Sequence, residues 1–239
     1  MINSRFFALL VLLANAVLCV PALAQDQSAN ISSCGALFSS GQYGPYDFRT
    51  DKQQLPIVLG AHFTPDVEAL IRGTTSRTPG GDIDYTLRAI PNHPNALMAM
   101  MRLAEKEKTL KPSGSRYPVE CWFDRAIRFR PDDTMVRMIY TNFLTKNNRK
   151  PEAMQQLDIV LNAVKDNAFT HQNIGLLYAD LGEHQRALVQ AHKAMELGLN
   201  RPELKEKLQA VGKWAEPVVV KADPTLAEPS PAASAPTKP

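Results

Sequence analysis

The sequence predicts an all-α fold built from consecutive helix pairs, and three observations support this prediction. Small and large apolar residues recur at a fixed interval of 34 residues in the second half of the chain. Proline, glycine and helix-capping residues separate the segments that carry this pattern. A last amphipathic segment follows the final repeat, as expected of a helix that caps an open stack. Repeats of this length are typical of helix pairs that bury their apolar faces against one another.

The recurrence is clearest between the third and fourth predicted pairs. At the interval of 34 residues, Thr141 matches Gly175, Leu144 matches Tyr178, Ala153 matches Ala187, Leu157 matches Ala191 and Val160 matches Ala194. A further unit lies one period earlier, at Val119, Phe123 and Ala126. A single pair cannot bury its apolar face alone, so the pattern predicts that neighbouring pairs are in contact.

Start and stop signals place the helices. Thr64 is a predicted N-cap, Pro65 suits the first helical position, and Gly73 ends the first helix. Pro91 ends the second helix, and a longer loop at 111–115 separates the helices of the second pair. The predicted pairs are 65–73 with 82–90, 94–110 with 117–129, 132–146 with 151–163, and 168–181 with 183–197, followed by a capping helix at 202–213.

The beginning of the chain is predicted to be a secretory signal peptide, residues 1–24. Arg5 precedes an apolar run, and the small residues at 22–24 form a cleavage site. The alternatives are an uncleaved anchor helix and a lipoprotein acylated at Cys19. After cleavage, no transmembrane segment is expected.

The remainder divides into three parts. Residues 25–63 show little periodicity and are predicted to be an irregular N-terminal segment with a short helix near 34–38. Residues 64–214 form the predicted helical-repeat domain. Residues 215–239 are rich in proline and alanine and are predicted to be disordered, because they cannot bury enough apolar surface to offset their ordering entropy.

Charge and cysteine usage narrow the possible partners. The net charge of +3 is scattered along the chain, and together with export it disfavours nucleic acid. Cys34 and Cys121 remain after signal removal, and an even pair in an exported protein predicts a disulfide. Two unpaired thiols are the alternative. No metal or other cofactor is expected, because neither cysteine has a histidine or acid at ligand spacing.

One segment carries a recognisable pattern. Residues 173–178 read Asn-Ile-Gly-Leu-Leu-Tyr, and they are followed by Leu181, Gly182, Ala187 and Ala194. This pattern resembles the tetratricopeptide repeat (TPR), whose second half is matched by Val119, Phe123, Ala126 and Pro131. The third unit departs from it at Thr141, Leu144 and Lys165. The resemblance implies a TPR-like α-solenoid of about 3.5–4 helix pairs with a C-terminal capping helix.

The resemblance also implies a binding face. In TPR proteins the first helix of each pair lines a concave surface, and its second, fifth and ninth positions meet the ligand. Here these positions are Met98, Met101 and Glu105 in the second unit, Met135, Met138 and Asn142 in the third, and Phe169, Gln172 and Leu176 in the fourth. Methionine at matching places in two units favours an adaptable apolar surface. The alternative is that these methionines are buried against the N-terminal segment or the capping helix.

The sequence therefore predicts an exported, non-catalytic scaffold, periplasmic or secreted, that binds a peptide segment or protein partner in a concave groove. By analogy with the family, this partner belongs to an envelope secretion or assembly complex. A glycan or small-molecule binder using Tyr46, Asp47 and Arg49 is one alternative. A hydrolase-like enzyme using His62 or His93 with an acid is another, although no nucleophile motif accompanies them.

Overall fold

The computed structural model describes residues 34–217. Within that range the secondary structure consists of ten helices and no strand, so the predicted all-α class is confirmed. The helices are α1 Leu55–His62, α2 Pro65–Glu68, α3 Pro79–Ala89, α4 Pro94–Glu107, α5 Val119–Phe129, α6 Thr134–Lys146, α7 Lys150–Ala163, α8 Ala168–Asp180, α9 His184–Glu196 and α10 Pro202–Ala210. The predicted signal peptide and nearly all of the predicted tail lie outside the described residues.

Local chemistry explains where the main helices begin. Proline occupies an early position in α3, α4, α7 and α10, where its missing N–H and fixed φ are compatible with a helix start. Side chains cap α4, α6 and α8: His93 accepts from the N–H of Ala96, Asp133 from those of Met135 and Val136, and Asn167 from that of Thr170. Such caps satisfy backbone donors that have no partner inside the helix.

The helices pack in a regular order. We call α2, α4, α6, α8 and α10 the first helices, and α3, α5, α7 and α9 the second helices. Each first helix from α4 to α8 packs against the helix that follows it, and the first helices contact one another in the sequence α2–α4–α6–α8–α10. One apolar core runs through these contacts and includes Trp122, Phe123, Leu144 and Tyr178. No helix among residues 34–217 combines the length and apolarity needed to cross a bilayer.

Three local predictions need correction. The predicted irregular segment contains helix α1, which buries Leu55 and Val58 against Ala89 and Ile90. The short helix predicted near 34–38 is absent, and the chain there turns, with Gly35 at a φ of +71°. The helix predicted at 65–73 is the single turn α2, because the chain enters the left-handed region at Leu70, with a φ of 60°.

The segment before α1 is attached to the second helices. Cys34 pairs with Cys121 of α5 as a disulfide, as predicted. One turn further along α5, the buried guanidinium of Arg125 donates to the carbonyl oxygens of Cys34 and Ala36, at 3.1 and 2.7 Å. The N–H of Tyr46 donates to the carbonyl of Ala89 at the end of α3. The disulfide and these hydrogen bonds hold the segment against α3 and α5.

Candidate functional site

The predicted binding residues differ in exposure according to their helical position. Met98, Met135 and Phe169, at the second position of their units, are 40%, 46% and 56% exposed. They lie on α4, α6 and α8, and these helices contact one another in that order. The three side chains therefore form a row of exposed apolar groups, one on each of three successive first helices. We call it the apolar row.

The fifth position is buried. Met101, Met138 and Gln172 are each only 6% exposed, and both methionines belong to the main apolar core. Both methionine side chains are therefore buried among the helices, and Met101 also lines the pocket described below. Gln172 is buried with no hydrogen-bond partner for its Nε2 among the described residues, which is uncommon for a buried amide.

The ninth position lies at the polar margin of the same face. Glu105 and Asn142 are exposed, and Leu176 is half-buried. Glu105 accepts a hydrogen bond from Lys146 Nζ at 2.6 Å, which joins α4 to α6 near their C-terminal ends. Both charges are about half exposed, so the pair contributes less than about 1 kcal/mol to stability.

A pocket of about 240 Å³ opens between the C-terminal ends of α4 and α6. Its apolar lining is Met101, Ala104, Leu110 and Phe143, and its polar lining is Glu105, Lys108, Thr109, Lys146 and Asn147. Two of these residues, Met101 and Glu105, were predicted from the repeat register. Lys108, Thr109 and Leu110 were not, because a repeat pattern does not describe the chain after α4, where Lys108 adopts a left-handed conformation.

The turn at residues 44–49 has an internal role. The Asp47 carboxylate is 2% exposed and accepts from Asn92 Nδ2 at 2.7 Å, Arg130 Nε at 2.6 Å and Arg49 Nη2 at 2.9 Å. Burial acts to raise the pKa of Asp47, but the hydrogen bonds from Arg49, Asn92 and Arg130 outweigh it and hold the pKa well below its usual range. The Asp47 carboxylate is thus already engaged by donors within the protein.

His62 and Asp82 are brought together across 20 residues of sequence. His62 Nδ1 lies 2.9 Å from Asp82 Oδ1, and its ring stacks on Tyr85. Asp82 also accepts from the N–H groups of Thr74 and Ser76. Burial acts to raise the pKa of Asp82, but the hydrogen bonds with His62, Ser76 and Thr74 outweigh it and lower the pKa. Within residues 34–217, no hydroxyl or thiol is hydrogen-bonded to the His62 imidazole.

His93 is a structural residue. Its Nδ1 accepts from the N–H of Ala96, and its ring packs against Phe48 and Phe63. Burial lowers the pKa of His93 to about 4, so the ring is neutral at physiological pH. A neutral imidazole is required for this cap, because only an unprotonated ring nitrogen can accept a hydrogen bond.

Neither a metal-binding group nor similarity to known proteins assigns a function to this site. In the described part of the chain, no group of three or more His, Cys, Asp or Glu side chains could hold a metal ion. Comparison with family models, curated proteins and solved structures gave no match.

Proposed function

We propose that this protein is an exported, non-catalytic scaffold of the TPR type, and that the face formed by α4, α6 and α8 binds a peptide segment or protein partner. The partner would belong to an envelope secretion or assembly complex. The observation that carries the proposal is the apolar row, because it places Met98, Met135 and Phe169 on successive helices at the same register.

The regularity of the row matters more than the exposure of any one side chain. Single exposed apolar residues are common on protein surfaces and need no explanation. Three at equivalent positions on successive helices could be contacted together by one extended partner, and this repetition supports a binding role. Methionine and phenylalanine are suited to this role, since methionine adapts its shape and aromatic rings contribute large contact areas.

The arrangement of the helices supports a TPR-like solenoid of about 3.5–4 pairs. The first helices contact one another in chain order, as stacked hairpins require, and α10 packs on α8 and α9, where a capping helix is expected. Leu204 and Leu208 of α10 are fully buried, so α10 covers apolar surface that would otherwise be exposed at the end of the stack.

Export is supported by the signal-like residues 1–24 and by the Cys34–Cys121 disulfide, since structural disulfides persist in oxidising compartments. The catalytic alternative has less support, because His93 is a buried cap and His62 has no nucleophile bonded to it in the part of the chain described. The glycan alternative has less support because Asp47 is committed to internal contacts.

The test compares two pairs of exposed apolar residues. A photo-crosslinking amino acid at position 135 should capture an envelope partner that the same group at position 189 does not, because Val189 is exposed on the second helix α9. The double change Met135→Glu plus Phe169→Glu should reduce this capture at least tenfold. Ile159→Glu plus Val189→Glu is the matched control and should leave capture unchanged.

Only substitutions at the exposed positions can separate a loss of binding from a loss of folding. Changing Met101 and Met138 to glutamate would bury carboxylates in the core and unfold the protein, whatever its function. Far-UV circular dichroism should show native helicity in both double variants. Equal capture by the two variants, with intact helicity, would remove the α4–α6–α8 face from consideration.

A further inference from the structure

Relative to the apolar row, helix α4 ends one turn earlier than α6 and α8. The left-handed residue after α4 is Lys108, ten positions beyond Met98. The left-handed residues after α6 and α8 are Asn148 and Gly182, each 13 positions beyond the row residue of its helix. Three residues of α-helix span about 4.5 Å. The pocket between α4 and α6 therefore opens beside the turn that α4 lacks, next to the C-terminal end of α6.

The pocket at this gap has an apolar interior of limited size. Met101, Ala104 and Phe143 line it and are buried, whereas Leu110 lines it and is 62% exposed. Pockets for small-molecule ligands usually measure about 300–1,000 Å³, and this one measures about 240 Å³. The pocket is therefore better suited to a single apolar side chain of a larger partner than to a whole small molecule.

The lining carries one cation that no carboxylate neutralises. Its charged side chains are two lysines and one glutamate. Glu105 and Lys146 pair with each other at 2.6 Å. The remaining charge is Lys108, and no carboxylate of residues 34–217 lies within 4 Å of its ammonium group. One carboxylate on the occupant would complement this charge.

The backbone conformation of Lys108 is unusual for a lysine. The left-handed position after four other helices holds asparagine or glycine, which tolerate it best: Asn148, Gly182, Gly198 and Gly212. After α2 the residue is Leu70, whose side chain is buried in the main core. Lys108 is exposed, so core packing does not offset its left-handed strain. Strain of this kind is concentrated at functional positions, which favours a binding role for Lys108.

The pocket lies on the same face of α4 as the apolar row. Met98, Met101, Glu105 and Lys108 follow one another at intervals of three, four and three positions, which place side chains on one side of a helix. Ten residues of helix span about 15 Å, the length of about 4–5 residues of extended chain. A short partner segment that lies along α4 can therefore reach the row and the pocket together.

We propose that the pocket receives an apolar side chain of the protein partner, and that an adjacent carboxylate of the partner pairs with Lys108. The inference rests on the proposed function, because it takes the occupant from that partner. It deepens that function by naming the chemistry that is recognised, namely an apolar residue next to an aspartate or glutamate.

The experiment uses methyl NMR of the full chain labelled at the methionine methyl groups. The probe is the peptide acetyl-Ala-Leu-Glu-Ala-amide, and its control is the same peptide with glutamine in place of glutamate. The probe should shift the signal of Met101, which lines the pocket, in a saturable manner. It should bind at least about threefold more tightly than the control peptide, because only glutamate pairs with Lys108. The signals of Met154 and Met195, on the second helices α7 and α9, should not move.

The variant Lys108→Gly separates recognition from stability. Glycine adopts the left-handed conformation without strain, so this variant should have a higher urea midpoint than the wild-type protein. It should also bind the two peptides equally, because the group that distinguishes them is gone. Lys108→Arg keeps the charge and should keep the preference for glutamate. Lys111→Gly is the matched control, because Lys111 is an exposed lysine of the same loop that does not line the pocket, and it should keep the preference without raising the midpoint.

Three other outcomes would overturn the proposal. One is equal binding of the two peptides to the wild-type chain, or a Met101 signal that neither peptide moves. Another is a Met101 signal that changes when the protein alone is diluted, because the pocket would then hold a second copy of this chain. The third is tighter binding of 4-methylpentanoate, a free apolar carboxylate, than of the probe peptide, because the pocket would then be a small-molecule site.

The proposed function and this inference fail separately. Partner capture at position 135 with no peptide-induced shift at Met101 would overturn this inference alone. A glutamate-dependent shift at Met101 without capture of any partner at position 135 would overturn the proposed function and leave the recognition chemistry of the pocket standing.

Discussion

Asn92 Nδ2 lies 2.7 Å from Asp47 Oδ1, a contact between residues 45 positions apart in the sequence. It joins the segment before α1 to the turn that precedes α4. The same carboxylate accepts from Arg130 Nε, in the turn that precedes α6. A single buried aspartate thus holds two inter-helix turns to one point of the N-terminal segment.

Replacing this aspartate should be strongly destabilising. Asp47→Asn keeps the shape of the side chain but removes the charge that pairs with Arg49 and Arg130. Breaking a fully buried ion pair costs about 3–5 kcal/mol, and because Arg49 and Arg130 are each more than a third exposed, the loss in free energy of unfolding should lie at or below the lower end of that range; urea denaturation measures it. Asp132→Asn is the control, because Asp132 also pairs with Arg49 but is 70% exposed, and its loss should cost less than about 1 kcal/mol. Similar losses in the two variants would contradict a buried network centred on Asp47.

The disulfide should also make a large contribution to stability. Cys34 and Cys121 are 87 residues apart, and closing a loop of that length stabilises by about 4–5 kcal/mol in the chain-entropy relation. The variant with serine at both positions should lose this amount and become insensitive to reductant, whereas the wild-type protein should weaken on reduction. Mass spectrometry under non-reducing conditions should show the crosslink, and two free thiols would refute it.

His93 should impose a pH dependence on stability. Its pKa is about 4 in the folded protein and about 6.5 when unfolded, so the unfolded chain binds the proton more readily. The contribution is complete above pH 6.5 and is lost as the pH falls towards 4, by about 3 kcal/mol in total. His93→Asn keeps a capping acceptor without a titrating ring. The difference in urea midpoint between the two proteins should therefore change between pH 7 and 4, and a constant difference would refute this role.

Gly175 lies where α8 and α10 pack closely together. A Cβ at this position would lie 2.3 Å from Leu204 Cδ2, in the contact between α8 and α10. Gly175→Ala should therefore cost about 1–3 kcal/mol, and adding Leu204→Ala should cost less than the two changes summed. Gly60→Ala is the control in α1, where no atom lies within 4 Å, and it should stabilise the protein by about 0.5–1 kcal/mol. Denaturation midpoints of the four variants check the prediction.

The main helices were predictable because their signals are local. Pro94 and Pro202 begin helices where expected, and the ends of α5 to α9 lie close to the predicted bounds. Helix α1 was missed because it carries apolar side chains on all sides, at Leu55, Ile57, Val58 and Leu59. Such a helix has no single apolar face, so the sequence shows no helical periodicity.

The candidate site was predictable only in part. The repeat register identified equivalent positions, and so anticipated the apolar row, but it could not tell that Met101 and Met138 turn into the core while Met98 and Met135 do not. Exposure depends on how far each helix rotates against its neighbours, which is a property of the packed structure. Asp47 contacts Asn92, 45 positions away in the sequence, and Arg130, 83 positions away, and no pattern among neighbouring residues predicts these contacts.

The attachment of the N-terminal segment and the pocket occupy different ends of α4 and α6. The Asp47 contacts lie at the N-terminal ends of α4 and α6, while the pocket lies at their C-terminal ends. Helix α4 has 14 residues, so about 20 Å of rigid helix separates the two. The attachment of the N-terminal segment and the pocket therefore lie at opposite ends of the same rigid helices, so a shift at one end reaches the other only if a whole helix tilts.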